Sequence, residues 1–337
     1  MVTTPIAITG SDKILILTSS STGNNVFCTP AIAFLRKHLP DNRIDVAALS
    51  ELSAEVFQGN RNIDDVHVVT KARAFDRIAM EYDKVIALNS NALKKLAGFN
   101  ATVIAVERLS DDVHHAEQLL QFMSQLLQKE ITDADRRYVL AGSPEQLALL
   151  LPAETERFEN AQLVNIHLGC GRTLLHGWKF FYKGRADDKK MWPIQAYIEL
   201  GLALTRMNPN IRIVLTGTRN EAFLAKQFTR NVEGTINLVG KTTVAQLRAL
   251  MDRADLFIAH DCGVLHIAAA SEIPIVALFG PTNHRVTGPY PVKPQHRLIK
   301  KESMAEISMQ AVSAAAAELL ANYAKVGRPI HQSLVKA

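Results

Sequence analysis

The chain has 337 residues, 47% hydrophobic and 21% charged, with a formal charge of +5 and three cysteines. That is material for two packed domains or one large one, and no internal repeat or low-complexity run interrupts it. No apolar stretch reaches the roughly 18–20 residues of a membrane span. The start, Met1 to Asp12, lacks the basic region and long apolar core of a signal peptide. Cys28, Cys170 and Cys262 are widely spaced and odd in number. They argue against a disulfide framework or a zinc site and for a reducing cytoplasm. No basic run with interleaved aromatics points to nucleic acid. The modest positive charge suits an anionic membrane face or an acidic acceptor, or plain solubility.

Along the chain, apolar runs alternate with helical segments. Lys13–Thr18 reads as a buried strand, Ser19–Asn25 as a polar turn, and Thr29–His38 as a helix with Thr29 as cap and Pro30 at its first position. Strands are predicted at Arg43–Ala48, Val66–Val69, Lys84–Leu88 and Ala101–Ala105, and a helix at His115–Leu127. Ala141–Asn160, with Ser-Pro and Leu-Pro-Ala, reads as the approach to a domain boundary. A second alternating unit follows. Its predicted strands are Leu163–Leu168, Ile211–Leu215, Leu256–Ala259 and Pro274–Phe279. Its predicted helices are Pro193–Met207, Glu221–Phe228, Val244–Arg253, Leu265–Ala270 and a long Ala-rich one at Met309–Ala324. Such alternation predicts βαβ units and parallel sheets, in two Rossmann-like domains facing a cleft.

The most specific string is Asp261-Cys-Gly-Val-Leu-His266-Ile-Ala-Ala, continued by Pro274 and Phe279-Gly-Pro-Thr282. It places Asp261, a helix start and His266 beyond the carboxyl end of a strand, where open α/β sheets bind ligands and helix N–H groups suit a pyrophosphate. Taken singly, Asp261 could be a helix cap, His266 a core histidine and Gly263 a turn residue. As a string they resemble the D-[ST]-G-x-x-H-x-A-A…P-x-x-x-x-[FY]-G-P-T segment of the lipopolysaccharide heptosyltransferases, glycosyltransferase family 9. Three further stretches resemble that family. Gly23 and Pro30 match its S-x-x-G-D-x-x-x-x-x-P loop. Lys190-Met-Trp192-Pro193 matches K-x-W-P, and Gly217 with Glu221 matches G-x-x-x-E.

The resemblance implies the GT-B architecture: an N-terminal Rossmann-like acceptor domain (1–155), a C-terminal Rossmann-like nucleotide-sugar domain (156–308), and a last helix (309–337) crossing back toward the first. It implies an inverting, metal-independent transfer of heptose from ADP-heptose to a lipopolysaccharide core acceptor, with no cofactor. It places the protein in the cytoplasm, peripheral at the inner-membrane face. The donor would be held by Gly169, Cys170, Glu221, Asp261, Cys262, Gly263, Val264, His266 and Thr282, with Lys190 stabilising the departing diphosphate. Gly23 and Asn25 would meet the acceptor. The sequence departs from the family at one place: Asn24 stands where an aspartate serves as general base. An amide binds no proton near neutral pH. Another residue then supplies the base, or the acceptor assists itself, or the chain binds without turnover; a transferase using another nucleotide sugar is a further alternative. The segment Arg172–Asp187, with Trp178-Lys-Phe-Phe-Tyr182, reads as an acceptor or membrane loop or as a packed excursion.

Overall fold

A computed structural model describes residues 8–96, 102–107, 109–150, 161–171, 173 and 189–323. Two compact units emerge: residues 1–141 with 285–291, and residues 142–284 with 292–337. The boundary falls at 141/142, ahead of the expected 155/156. Ser143 explains the shift, because its N–H donates to Ala245 O and draws the helix α6 (Pro144–Ala148) onto α9 (Val244–Arg253) of the second unit.

Unit 1 holds a five-stranded parallel sheet in the order β3-β2-β1-β4-β5. The strands are β1 (Ile14–Leu17), β2 (Ile44–Ala48), β3 (Asp65–Val68), β4 (Lys84–Ala87) and β5 (Ile104–Ala105). β1 lies in the middle, and all four of its residues are buried, as a strand covered on both faces requires. Around the sheet run α1 (Thr22–His38), the short α2 (Glu51–Ala54), α3 (Ala72–Ala79), α4 (Ser90–Lys95) and α5 (His115–Leu127). Leu15, Leu17, Phe75 and Ala92 belong to one continuous core cluster.

The first helix begins earlier than predicted. α1 starts at Thr22, so Gly23, Asn24 and Asn25 occupy its first turn, and Pro30 lies inside the helix. Proline has no N–H to give the carbonyl four residues back. Here Thr29 Oγ1 donates to Val26 O at 2.8 Å, supplying that carbonyl with another donor. Thr29 Oγ1 also accepts from Val139 N at 3.1 Å, so one buried hydroxyl serves both chain segments.

Unit 2 holds a six-stranded parallel sheet in the order β11-β10-β9-β6-β7-β8. Its strands are β6 (Gln162–His167), β7 (Ile211–Thr216), β8 (Ile236–Asn237), β9 (Leu256–His260), β10 (Ile275–Phe279) and β11 (His296–Lys300). The flanking helices are α7 (Ile194–Met207), α8 (Ala222–Thr229), α9, α10 (Gly263–Ala269) and α12 (Met309–Tyr323), while the one-turn α11 (His284–Thr287) begins the segment 285–291 that belongs to unit 1. The middle pair β6–β9 is pinned at its entry: Leu163 N donates to Asp255 Oδ2 at 2.8 Å while Asp255 N donates to Leu163 O.

The last helix was expected to cross back toward the first domain. Its described part, α12, packs instead on α7 and on β9, β10 and β11 of unit 2, burying Val312, Ala316, Leu319 and Leu320. The segment that joins unit 1 is 285–291. There His114 bonds Gly288 O, its ring stacks on Tyr290, and Tyr290 donates to Glu117 at 2.7 Å. Residues 324–337, and the Arg172–Asp187 loop apart from Thr173, lie outside the described residues. No described helix is long and apolar enough to cross a membrane.

Candidate functional site

In an open parallel sheet the chain leaves successive strands in opposite directions at one point, and a crevice opens there beyond the carboxyl ends. In unit 2 that point lies between β6 and β9, since β7 and β8 extend one way and β10 and β11 the other. The residues that follow these strands form a row along one edge. Thr282 follows β10, Asp261 follows β9, Gly169 and Cys170 follow β6, and Glu221 follows β7. The donor residues expected from sequence are therefore brought to one edge of one sheet.

Asp261 is 5% exposed, and its Oδ2 accepts from Lys190 Nζ at 2.7 Å. The chain before α7 holds this lysine in place. Trp192 is buried, donates from Nε1 to Ile307 O at 2.9 Å, and sets its ring edge-on to Tyr197, 4.8 Å between centroids. Pro193 then caps α7. The Trp-Pro pair is thus an anchor that leaves Lys190, about a third exposed, beside Asp261. Behind them Tyr197 O–H meets His260 Nδ1 at 2.9 Å. Burial pushes His260 down to about 3, so this ring is neutral near neutral pH.

Glu221 sits in a tighter frame. It is the third residue of a short 3-10 turn (219–221) and closes a capping box with Thr218, whose N–H reaches Oε2 at 2.5 Å. Its carboxylate lies between two glycines. A Cβ at Gly217 would come 2.6 Å from Oε2, and a Cβ at Gly169 would overlap Oε1, Cδ and Cγ. Any other residue at either position would displace the carboxylate. His167 Nε2 stands 3.8 Å from Oε1, and burial holds the His167 pKa below its ordinary value, with Glu221 opposing. Glu221 accordingly has a structural part as a cap, and one oxygen that the cap does not use.

The remaining residues expected at the donor divide. Cys262 is the N-cap of α10 and Gly263 and Val264 open its first turn, where helix N–H groups lack partners within the helix. His266 is buried in the same helix. The Cys170 N–H is taken by Thr173 Oγ1 at 2.9 Å, so this backbone donor serves its own turn. Burial pushes the Cys262 thiol well up, which makes it an uncharged packing group. The Thr282 hydroxyl is buried and has no hydrogen-bond partner among the described residues.

The corresponding point in unit 1 lies between β1 and β4. A cavity of about 540 Å³ opens there. Its lining includes Asn24 of α1, Asn89 and Ser90 after β4, Lys94 of α4, and Asp111 and His115 at the entry to α5. Asn24, at the position expected of the base, reaches this cavity. Asn25 does not: it is fully buried, its Oδ1 accepting from Ser19 N at 2.9 Å and its Nδ2 donating to Ser53 O at 3.0 Å. Its role is to tie the β1–α1 turn to α2. Gly23 is buried beside it in the first turn of α1.

Sequence reasoning missed Asn89, Lys94, Asp111 and His115. The signal was present in Leu88-Asn-Ser-Asn91 directly after a predicted strand, and in a histidine at the first position of a predicted helix. Among the described residues no group of three or more His, Cys, Asp or Glu side chains is placed to hold a metal ion.

The model of glycosyltransferase family 9 (heptosyltransferase) matches residues 172–316. Lipopolysaccharide heptosyltransferase 3 of Escherichia coli is 22% identical over 282 residues, 78% of this chain and 82% of that protein. The crystal structure of a family 9 glycosyl transferase from Veillonella parvula superposes with a TM-score of 0.74 at 20% identity, covering 92% of this chain and 97% of the other. E. coli ADP-heptose lps heptosyltransferase II gives 0.69 at 18% identity, covering 92% and 98%. These structures share the fold of two parallel α/β sheets.

Proposed function

We propose that this chain, similar to glycosyltransferase family 9 over residues 172–316, transfers a heptose from ADP-heptose to a lipopolysaccharide core acceptor, inverting the anomeric centre and using no metal ion. The observation that carries the reading is the Lys190–Asp261 pair, 2.7 Å apart beyond β9 at the point where the sheet order reverses. A fixed, partly exposed cation there is suited to a diphosphate, and Asp261 positions it. The donor identity is supported by the related E. coli protein, an ADP-heptose lps heptosyltransferase.

In the reaction an acceptor oxygen loses its proton and attacks the anomeric carbon. The bond from that carbon to the phosphate oxygen breaks, and ADP departs with the electron pair. Negative charge grows on the leaving phosphate, so Lys190 is worth more in the transition state than in the ground state. The N–H groups at the start of α10 and the Thr282 hydroxyl supply neutral donors on the same edge. The unused oxygen of Glu221 accepts from a ribose hydroxyl. The protein works in the cytoplasm, peripheral at the inner-membrane face, where such an acceptor is presented.

A second reading has one observation behind it: Asn24 cannot accept a proton, so the chain would bind ADP-heptose without turnover. Purified protein incubated with ADP-heptose, truncated lipopolysaccharide core and EDTA, followed by mass spectrometry, separates the two. One added heptose, undiminished by EDTA, is the expected result. Intact ADP-heptose that nonetheless raises the melting temperature would support the second reading. Transfer from a UDP-sugar in preference would overturn the donor assignment.

A further inference from the structure

We propose that the unit 1 cavity receives the acceptor hydroxyl and that His115 is the catalytic base in place of Asn24. The proposal rests on the transferase reading above and names the group which that reading lacks. Asn24 and His115 line the same cavity, at the reversal point of the sheet between β1 and β4. That is the position where an open α/β sheet takes a ligand. Asn89, Ser90 and Asn91 add neutral donors and acceptors suited to sugar hydroxyls.

His115 is held for the task. It opens α5, whose positive end disfavours a cationic ring. Phe27 stands edge-on to it, 5.9 Å between ring centroids, and forms a rigid apolar wall. Burial lowers its pKa, with Asp111 opposing, so the imidazole is neutral near pH 7 and can accept a proton. The charged and titratable groups around it in this cavity are Asp111 from the preceding loop and Lys94 from α4. His114, its chain neighbour, is engaged elsewhere through Ala116 N and Gly288 O. Of these, Asp111 is the one that can stabilise an imidazolium, and we assign it as a positioning residue. In the step itself the acceptor O–H bond breaks, its proton passes to an imidazole nitrogen of His115, and the oxygen forms the new glycosidic bond as ADP leaves. The proton is later released to solvent.

The test uses the full chain with ADP-heptose and truncated lipopolysaccharide core, measuring ADP release from pH 5 to 9. His115→Gln is expected to lower kcat by about 10²–10⁴-fold, while the melting-temperature rise on adding ADP stays at the wild-type value and shows that the variant is folded. Asn24→Asp placed in the His115→Gln background should restore at least part of that rate, with the acid limb moved down toward the carboxylate range. Asp111→Asn should move the wild-type acid limb to lower pH, because the charge that favours protonated His115 is gone. His115→Gln with wild-type kcat and an unchanged acid limb would overturn the proposal while leaving the transferase reading intact. A wild-type protein that binds ADP and transfers nothing would overturn the transferase reading, and this assignment with it.

Discussion

Gly169→Ala tests how the sheet edge beyond β6 and β7 is built. The added methyl would overlap Oε1, Cδ and Cγ of Glu221. The carboxylate has little room to yield. Thr218 N holds Oε2 at 2.5 Å, and the residue is 3% exposed. If Glu221 stays, the site is overpacked, which costs about 1–3 kcal/mol. If it swings out, the charge-assisted bond to Thr218 is lost, worth about 1.5–3 kcal/mol. Relaxation takes the cheaper route or a blend of the two, so unfolding free energy should fall by about 1–3 kcal/mol in urea. Glu221→Ala removes the obstacle, so the double variant should be more stable than the sum of the two single losses by more than about 1 kcal/mol. Gly169→Ala within about 0.5 kcal/mol of wild type, or strict additivity with Glu221→Ala, would refute the reasoning.

Lys190→Ala should weaken ADP binding by about 1.5–3 kcal/mol, or roughly 10- to 150-fold in Kd by calorimetry; an unchanged Kd would remove this lysine from the diphosphate site. Thr29→Val keeps the shape but removes the hydroxyl that serves Val26 O and Val139 N, and should cost about 1–3 kcal/mol in urea unfolding. His114 is pushed down to about 4 by burial, from an ordinary 6.5. The unfolded chain binds the extra proton first, so this stability is fully present above about pH 6.5 and is lost toward pH 4, at most about 3 kcal/mol. His114→Phe should flatten that share of the decline between pH 7 and pH 4.5; an identical slope in the variant would contradict the assignment.

The elements with strong signals are legible in the sequence. His115–Leu127 and Val244–Arg253 appear with the expected bounds, since each carries a clean helical stripe and, at Thr243, a capping box. β1 (Ile14–Leu17) and β10 (Ile275–Phe279) are continuous apolar runs and read as buried strands. β11 (His296–Lys300) was missed because an edge strand half covered by its neighbours shows neither alternation nor an apolar run. The start of α1 was misplaced because Pro30 looks like a first-turn residue, and the compensating hydroxyl of Thr29 is visible only in three dimensions. The row of residues beyond β10, β9, β6 and β7 is legible as motifs, and the sheet order explains why they meet. Asn25 was misjudged because a polar residue in a turn reads the same whether it faces a ligand or, as here, ties two segments together. His115 carries no motif, and what singles it out is the cavity that it shares with Asn24.

A crystal structure of the protein with ADP tests the central claim most directly. The account predicts diphosphate density against Lys190 and the start of α10, with the ribose at Glu221. Density elsewhere, for instance in the unit 1 cavity beside Asn24, or ADP bound with Lys190 still closed on Asp261 and remote from phosphate, would contradict it.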